Sequence, residues 1–471
     1  MAAANQKDAA VQPYGYGDFS GLHQPATRSM EGITKLASKI DDFKQLRLVP
    51  DVRSAIVKEL TTNSVCRDIN SNHLKPTEIQ AAAIKIMQEK RRNPEELRTF
   101  VLSAETGSGK TWAYLAPMLS KLKEDELAAG WDIIKDKQQI RAVVLVPTHE
   151  LLTQVYGTLA AVSEDLGLNV FKWGGGTPYN ELFDKLEHRI DVMVTTPNKL
   201  KTITTLRRLN SPLKLFQQVK YIAVDEADTL MDKSWVEDTY DCIQLCPNTT
   251  DLVFVSATIP REFNRTVEKL FPVATPIATA KIHKIPKSID FKVIDAAAAP
   301  YKGSRNKALA QILYAIHKDG TEQGFEKRVL IFVNEKKDIE KLGELLVETY
   351  GHDVTTIMGG RDGDSADTRG EKIALFLNPP RRLEDIGETG EIQSQLKVLV
   401  TTDVLARGLN FHGIKNVVLY HVPNTSIDLV HRAGRTGRMN TKGRVFMIVN
   451  NQDKGWVKGL PAVVKKQIPL A

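Results

Sequence analysis

Two groups of residues, far apart in the chain, carry chemistry that neither completes alone. The first is Ala104-Glu105-Thr106-Gly107-Ser108-Gly109-Lys110-Thr111, which follows an apolar run at 100–102 and leads into a helical stretch over 112–123. In a strand-loop-helix of this kind the glycines let backbone N–H groups curl around a phosphate chain, and the helix N-terminus adds its positive dipole end. Thr106, Gly107, Ser108 and Gly109 form that cradle, Lys110 holds the outer phosphates and Thr111 offers its hydroxyl to Mg²⁺. Ala104 stands where the phosphate-loop pattern asks for its first glycine; the rival reading is a glycine-rich turn in some other α/β protein. Asp225-Glu226 closes the buried run at 221–224. There Asp225 can hold the same Mg²⁺ as Thr111, and Glu226 can orient or deprotonate a water that attacks the γ-phosphate.

The second group is His431-Arg432-Ala433-Gly434-Arg435-Thr436-Gly437-Arg438. A basic run is usually a solvated face. Arginines spaced by three and interleaved with glycines instead suit a turn that pushes guanidinium groups into a facing site. An arginine supplied across a cleft accelerates phosphoryl transfer by ~10³-fold or more. With half the groups early and half late in the chain, hydrolysis requires closure, and the nucleotide becomes a switch for domain geometry.

The elements that must position these groups are legible as alternating strands and helices. Short Val/Ile/Leu runs at 143–146, 192–194, 221–224 and 252–255 each end in polar residues, as a parallel sheet covered on both faces requires. Ligands gather at the carboxyl ends of such strands, so the polar tails line one crevice. A second series at 329–333, 354–357, 398–400, 417–420 and 445–449 repeats the architecture without a phosphate loop of its own. Residues 1–39 read as an irregular arm, 276–300 as the linker between two domains at 40–275 and 301–471, and 378–395 as a surface excursion.

Bulk properties bound the class. A chain of 471 residues exceeds one ordinary domain, and 42% hydrophobic with 26% charged residues describes a soluble globular protein. A net charge of +7 leans weakly toward a polyanionic partner. Cys66, Cys242 and Cys246 make neither a disulfide framework nor a zinc site, which fits a reducing compartment. No apolar run is long enough to span a bilayer. The first thirty residues resemble neither a signal peptide nor an Arg-rich transit peptide, so the expectation is a protein that stays where it is made or one whose presequence is missing.

Taken together, the motifs resemble those of the DEAD-box RNA helicases over residues 43–470. The box is Asp225-Glu226-Ala227-Asp228. Around it, in the family's order, stand Pro76-Thr77-Glu78-Ile79-Gln80, the loop 104–111, Pro147-Thr148-His149-Glu150-Leu151, Gly174-Gly175 and Thr196-Pro197. Ser256-Ala257-Thr258, Leu330-Ile331-Phe332-Val333-Asn334, Thr402-Asp403-Val404-Leu405-Ala406-Arg407-Gly408 and the run 431–438 complete the set. The resemblance implies an α/β fold of two tandem RecA-like domains that bind ATP, Mg²⁺ and RNA together. It implies that Gln80 reads adenine with Phe43 stacked on the ring, that Asn410 contacts the nucleotide sugar, and that Arg435 and Arg438 are the fingers. Ser256 and Thr258, with Asp228 and His431, become the relay between hydrolysis and RNA.

The same resemblance assigns RNA contacts to Pro147, Thr148, Gly175, Thr196, Lys199, Asn334, Arg369, Thr402 and Gly408, directed to phosphates and 2′-hydroxyls. Helicases of this family pry open short duplexes locally, as monomeric engines. The chain departs from the family at His149, Asn198-Lys199, Asn410 and His73. Lys199 keeps a charge but loses the bidentate fork, and Asn198 tolerates left-handed backbone angles. The run Thr229-Leu230-Met231-Asp232-Lys233-Ser234-Trp235 resembles a fungal mitochondrial branch that helps assemble the large ribosomal subunit. That branch implies the mitochondrial matrix, ribosomal RNA in a pre-ribosomal particle, and ribosomal or assembly proteins as partners; the cytoplasm and nucleus are the alternatives. Rival functions are an ATP-gated RNA clamp without unwinding, and a DNA helicase or other phosphate-loop motor.

Overall fold

In the computed structural model the described residues are 13–16, 21–62, 74–91, 93–128, 131–209, 211–358, 366–386, 396–403, 411, 413–437, 441–453 and 455–470. Thirteen named strands among them form two sheets. The first comprises β1 (Arg98–Ser103), β2 (Ile140–Leu145), β3 (Val170–Trp173), β4 (Ile190–Thr195), β5 (Tyr221–Asp225), β6 (Asp251–Ser256) and β7 (Thr275–Ala278), in the order β3-β4-β2-β5-β6-β1-β7. The second comprises β8 (Ile289–Asp295), β9 (Lys327–Phe332), β10 (Asp353–Thr356), β11 (Leu396–Thr401), β12 (Ile414–Leu419) and β13 (Gly443–Val449), in the order β10-β11-β9-β12-β13-β8. Every pairing is parallel. Each sheet has an apolar core on both of its faces, which is why its central strands are uninterrupted runs of buried residues.

Register brings the chemistry to one level. Ser103 at the end of β1 lies opposite Ser256 at the end of β6, and Asp225 at the end of β5 lies opposite Val255. The phosphate loop, the paired acids and Ser256-Ala257-Thr258 therefore leave three neighbouring strands side by side, at the carboxyl edge where doubly wound sheets gather ligands.

Two expectations need correction. The linker read at 276–300 includes residues of two strands: β7 pairs with β1, and β8 pairs with β13 over Ile289–Asp295, so the link between sheets is 279–288. Those edge strands show the weak, half-exposed pattern that apolar runs do not reveal. The excursion at 378–395 lies at the surface over its described residues, which are mostly exposed, and is anchored to the second domain at its start. Arg328, fully buried, donates to the Asn378 carbonyl at 2.5 Å, and Pro380 fills the space beside Gly413; residues 387–395 lie outside the described ones.

The arm at 1–39 is the second correction. Thr27–Ala37 is a helix that packs on the helix Glu78–Met87 and on β7, with Ile33, Ala37 and Ile40 buried at helical spacing. That spacing was readable in the sequence. Upstream, Tyr16 is wholly buried in the second sheet's core, and its hydroxyl donates to the Pro423 carbonyl at 2.9 Å. Leu22 pairs with Pro260 of the first domain. The arm thus touches both domains.

A docked arm has a measurable stability. Tyr16→Ala is expected to destabilise by about 3–5 kcal/mol through the lost ring, and Tyr16→Phe by about 1 kcal/mol through the lost hydroxyl bond. Urea denaturation of both variants checks this, and an unshifted Tyr16→Ala midpoint would exclude docking.

Candidate functional site

The phosphate loop follows β1 because two glycines adopt what other residues resist: Gly107 has φ 80° and Gly109 φ 85°, after which the helix Lys110–Glu126 begins. Gly109 needs the missing Cβ for a second reason, since that atom would stand 2.5 Å from Gln80 Nε2. Lys110 folds back over the loop, donating to the carbonyls of Ala104 (2.9 Å) and Glu105 (3.1 Å). Burial lowers its pKa, the carboxylates of Glu226 and Asp225 work against that, and the charge of Arg435 adds to it. The last effect places a second-domain guanidinium within electrostatic reach of the loop.

Asp225 accepts from the Tyr114 hydroxyl at 3.0 Å and from the Glu226 N–H at 2.9 Å. Burial, and next the neighbouring Glu226 carboxylate, push its carboxyl up to about 6. Glu226 sits in the left-handed region, φ 48°, at a cost of roughly 1 kcal/mol or more. Its Oε2 is buried with no hydrogen-bond partner, as are the hydroxyls of Thr106 and Ser108. Unsatisfied buried oxygens around a glycine cradle fit a phosphate chain and a hydrated divalent ion. Thr111 and Asp225 are the oxygen donors that would hold Mg²⁺.

Across the cleft, Gly434 of the second domain packs directly on the loop: a Cβ there would lie 2.8 Å from both Cβ and Oγ1 of Thr106. Its neighbours follow. His431 Nε2 lies 3.1 Å from Asp228 Oδ2 and 3.4 Å from Thr258 Oγ1, while Thr258 donates to the same Asp228 oxygen. Ser256 Oγ accepts from the Thr258 N–H at 3.1 Å. The relay residues are therefore joined in one buried network that spans both domains. Arg435 is 1% exposed, its Nε donating to the His431 carbonyl at 2.9 Å. Arg432 turns inward instead, gripping Asp403 with two nitrogens.

The adenine assignments fare differently. Gln80 completes a capping box with Thr77 and donates to the Gly109 carbonyl at 3.2 Å, so it braces the phosphate loop. Phe43 is a core residue of the first domain, 1% exposed. It lines a cavity of about 500 Å³ with Arg53, Val57 and Leu74, and neither Gln80 nor the phosphate loop lines that cavity. The ring is packed in the core, apart from the residues of the phosphate loop, which corrects that expectation.

Of the residues assigned to RNA, Pro147 and Thr148 follow β2, Gly175 follows β3, and Thr196 and Lys199 follow β4, all adjacent strands. Thr148 caps its helix by accepting from the Leu151 N–H at 3.2 Å. Asn334 and Thr402 follow the neighbouring β9 and β11. The Asn334 amide donates to the Val422 carbonyl at 2.9 Å, and the Thr402 hydroxyl is buried without a partner. Lys199 lies over the Trp173 ring at 4.9 Å and the Tyr179 ring at 5.7 Å, an aromatic seat that sequence reasoning missed and that holds the ammonium where a fork is absent. Asn198 is inside the helix Pro197–Thr204 and has no positive φ, so left-handed tolerance plays no part. Gly408, Asn410 and Arg438 lie outside the described residues, as do Cys66, His73 and the side chain of Arg369. Cys242 and Cys246 are free buried thiols.

A phosphate loop and an acid pair on one RecA-like domain, closed by an arginine-bearing turn on a second, define a helicase engine. Residues 77–266 match the DEAD/DEAH box helicase domain and residues 304–440 the helicase conserved C-terminal domain. The chain belongs to the DEAD/DEAH box helicase family. It is 44% identical to the mitochondrial ATP-dependent RNA helicase MRH4 of Vanderwaltozyma polyspora over 99% of this chain and 92% of that protein. Identity to MRH4 of Debaryomyces hansenii is also 44%, over 97% of this chain and 88% of that one. In fold it is similar to Mss116p bound to single-stranded RNA and AMP-PNP, with TM-score 0.66, 18% identity and 96% and 79% of the two chains covered. Dbp5 of S. cerevisiae bound to RNA and ADP BeF3 gives TM-score 0.65 at 21% identity, covering 91% and 93%.

Gly434→Ala is expected to hold the domains apart and to lower ATP turnover by about 10²-fold, with partial recovery on adding Thr106→Gly. Steady-state ATP hydrolysis reads both. Because Asp225 is protonated below about pH 6, Mg²⁺ must displace a proton there, and apparent Mg²⁺-ATP affinity should fall as pH drops through 6. A flat titration between pH 5 and 7 would contradict this.

Proposed function

We propose that this chain, an ATP-dependent RNA helicase of the DEAD-box family, remodels structured RNA locally. Its proposed substrate is ribosomal RNA in an assembling mitochondrial ribosome. One observation carries the reading: the second domain's His431–Arg435 turn packs on the first domain's phosphate loop, with Gly434 against Thr106 and His431 against Asp228. The mitochondrial address is supported by the names of the MRH4 relatives, and the ribosomal substrate by the resemblance of 229–235 alone.

In this reading the phosphates of ATP replace the Ala104 and Glu105 carbonyls as partners of Lys110. Thr111 and Asp225 would hold Mg²⁺, which would supply positive charge beside the outer phosphates. Glu226, with an unpartnered oxygen, orients the attacking water and takes its proton. Arg435 supplies positive charge to the transferring group. Arg438, in the same turn, is assigned a like role. Because His431 and Thr258 share Asp228, loss of the γ-phosphate is felt at the interface, and the domains loosen their joint hold on RNA. Contacts from the strand ends of both domains, with Lys199 on its aromatic seat, favour backbone over base recognition.

The test compares ATP hydrolysis with and without RNA beside separation of a short RNA duplex; RNA-independent hydrolysis with no separation would overturn the helicase reading. Crosslinked RNA fragments from cells identify the substrate and compartment. Glu226→Gln should keep ATP and RNA binding while hydrolysis falls by about 10²-fold or more. Normal turnover in that variant would remove Glu226 from its role.

A further inference from the structure

Ile259 follows the Ser256-Ala257-Thr258 relay directly, and both its backbone groups are held by segments that the hydrolytic chemistry does not use. Its N–H donates to His283 Nε2 at 2.9 Å, and its carbonyl accepts from the His23 N–H at 2.7 Å. Two residues further on, the Arg261 N–H donates to the Gly21 carbonyl at 2.5 Å. His283 lies in the link between the sheets, and Gly21 and His23 lie in the arm.

A buried histidine is most often a packed residue, but this one carries costs that packing does not explain. It is fully buried at φ 60°, a region that side chains with a Cβ avoid. Burial, with His23 adding to it and Asp228 opposing, holds its pKa down to about 3. The ring therefore stays neutral at physiological pH, and Nε2 remains an acceptor.

The same two segments are gripped by the second domain's end. The Leu470 N–H donates to the His283 carbonyl at 2.9 Å, Gln24 Nε2 donates to the Leu470 carbonyl at 3.0 Å, and the Tyr14 N–H donates to the Pro469 carbonyl at 2.8 Å. Leu470 itself is buried in the second domain's core. The relay is thus reached from the second domain by two routes, His431 through its side chain and Leu470 through His283 and a peptide bond.

We propose that His283 is a positioning residue of the relay. With His23 it holds the two backbone groups of Ile259, while Gly21 holds the Arg261 N–H, so that Thr258 meets Asp228 and His431, and it makes that geometry depend on where the second domain sits. The proposal rests on the helicase reading above.

The experiment uses the full chain carrying His283→Leu, which removes the acceptor, His283→Gln, which restores one near the Nε2 position, and His23→Pro, which removes the other clamp's donor. For each, folding is checked by thermal melting, then RNA-free ATP hydrolysis and duplex strands separated per ATP are measured. The expected result for His283→Leu is RNA-free hydrolysis within about twofold of the unmodified chain and strands per ATP down about tenfold, with His283→Gln recovering most of the loss. His23→Pro should shift strands per ATP in the same direction, and it decides the matter if His283→Leu does not fold. Folded His283→Leu with unchanged strands per ATP, or a His283→Gln as impaired as His283→Leu, overturns the positioning role alone. An unmodified chain that separates no duplex overturns the helicase reading and this proposal with it.

Discussion

Gly434 meets Thr106 at a distance that leaves no room for a methyl group, and around that contact two half-sites become one. Dispersion and steric forces act over tenths of an ångström, so a contact this tight is either made or lost. Next to it lie Lys110, Asp225, Glu226, Asp228, His431 and Arg435, a set of ionisable groups that is costly to bury unless the partners are all present. Only the closed arrangement supplies them all. In the proposed reading, domain geometry and nucleotide chemistry become one equilibrium, as a switch requires.

The sheets make this possible by bringing their strand ends to one rim. In the first domain β5, β6 and β1 deliver the acids, the relay and the phosphate loop side by side, while β2, β4 and β3 deliver the residues assigned to RNA further along the same edge. Thr258 reaches from the first group to His431 in the other domain. The phosphate loop, the relay and the first domain's residues assigned to RNA therefore share one sheet edge.

One local departure from the family's pattern finds physical compensation nearby. Lys199 cannot form a guanidinium fork, yet two aromatic rings beneath its ammonium restrict where the charge goes. Gln80 is drawn into a capping box and a bond to the phosphate loop, so a residue assigned to adenine also sets the loop's shape. The arm, with Tyr16 in one domain's core and Ile33 in the other's, ties together bodies that the link 279–288 already joins.

The sequence by itself determined what depends on local residue type and short spacing. Gly107, Gly109, Lys110 and Thr111 announce a phosphate loop because few other residues permit that backbone, and continuous Val/Ile/Leu runs announce buried parallel strands because both faces are covered. It also determined the family, since the order of many short motifs is a one-dimensional property. What it could not carry was any feature made by distant segments meeting. Phe43 looked free to stack and is enclosed in a core; edge strands β7 and β8 looked like linker because one side of each lacks a neighbour; the docking of the arm was invisible because the partner of Tyr16 lies hundreds of residues away. Whether Gly434 needs to be glycine, and whether His283 touches the relay at all, was decided only when tertiary packing set those atoms within bonding distance.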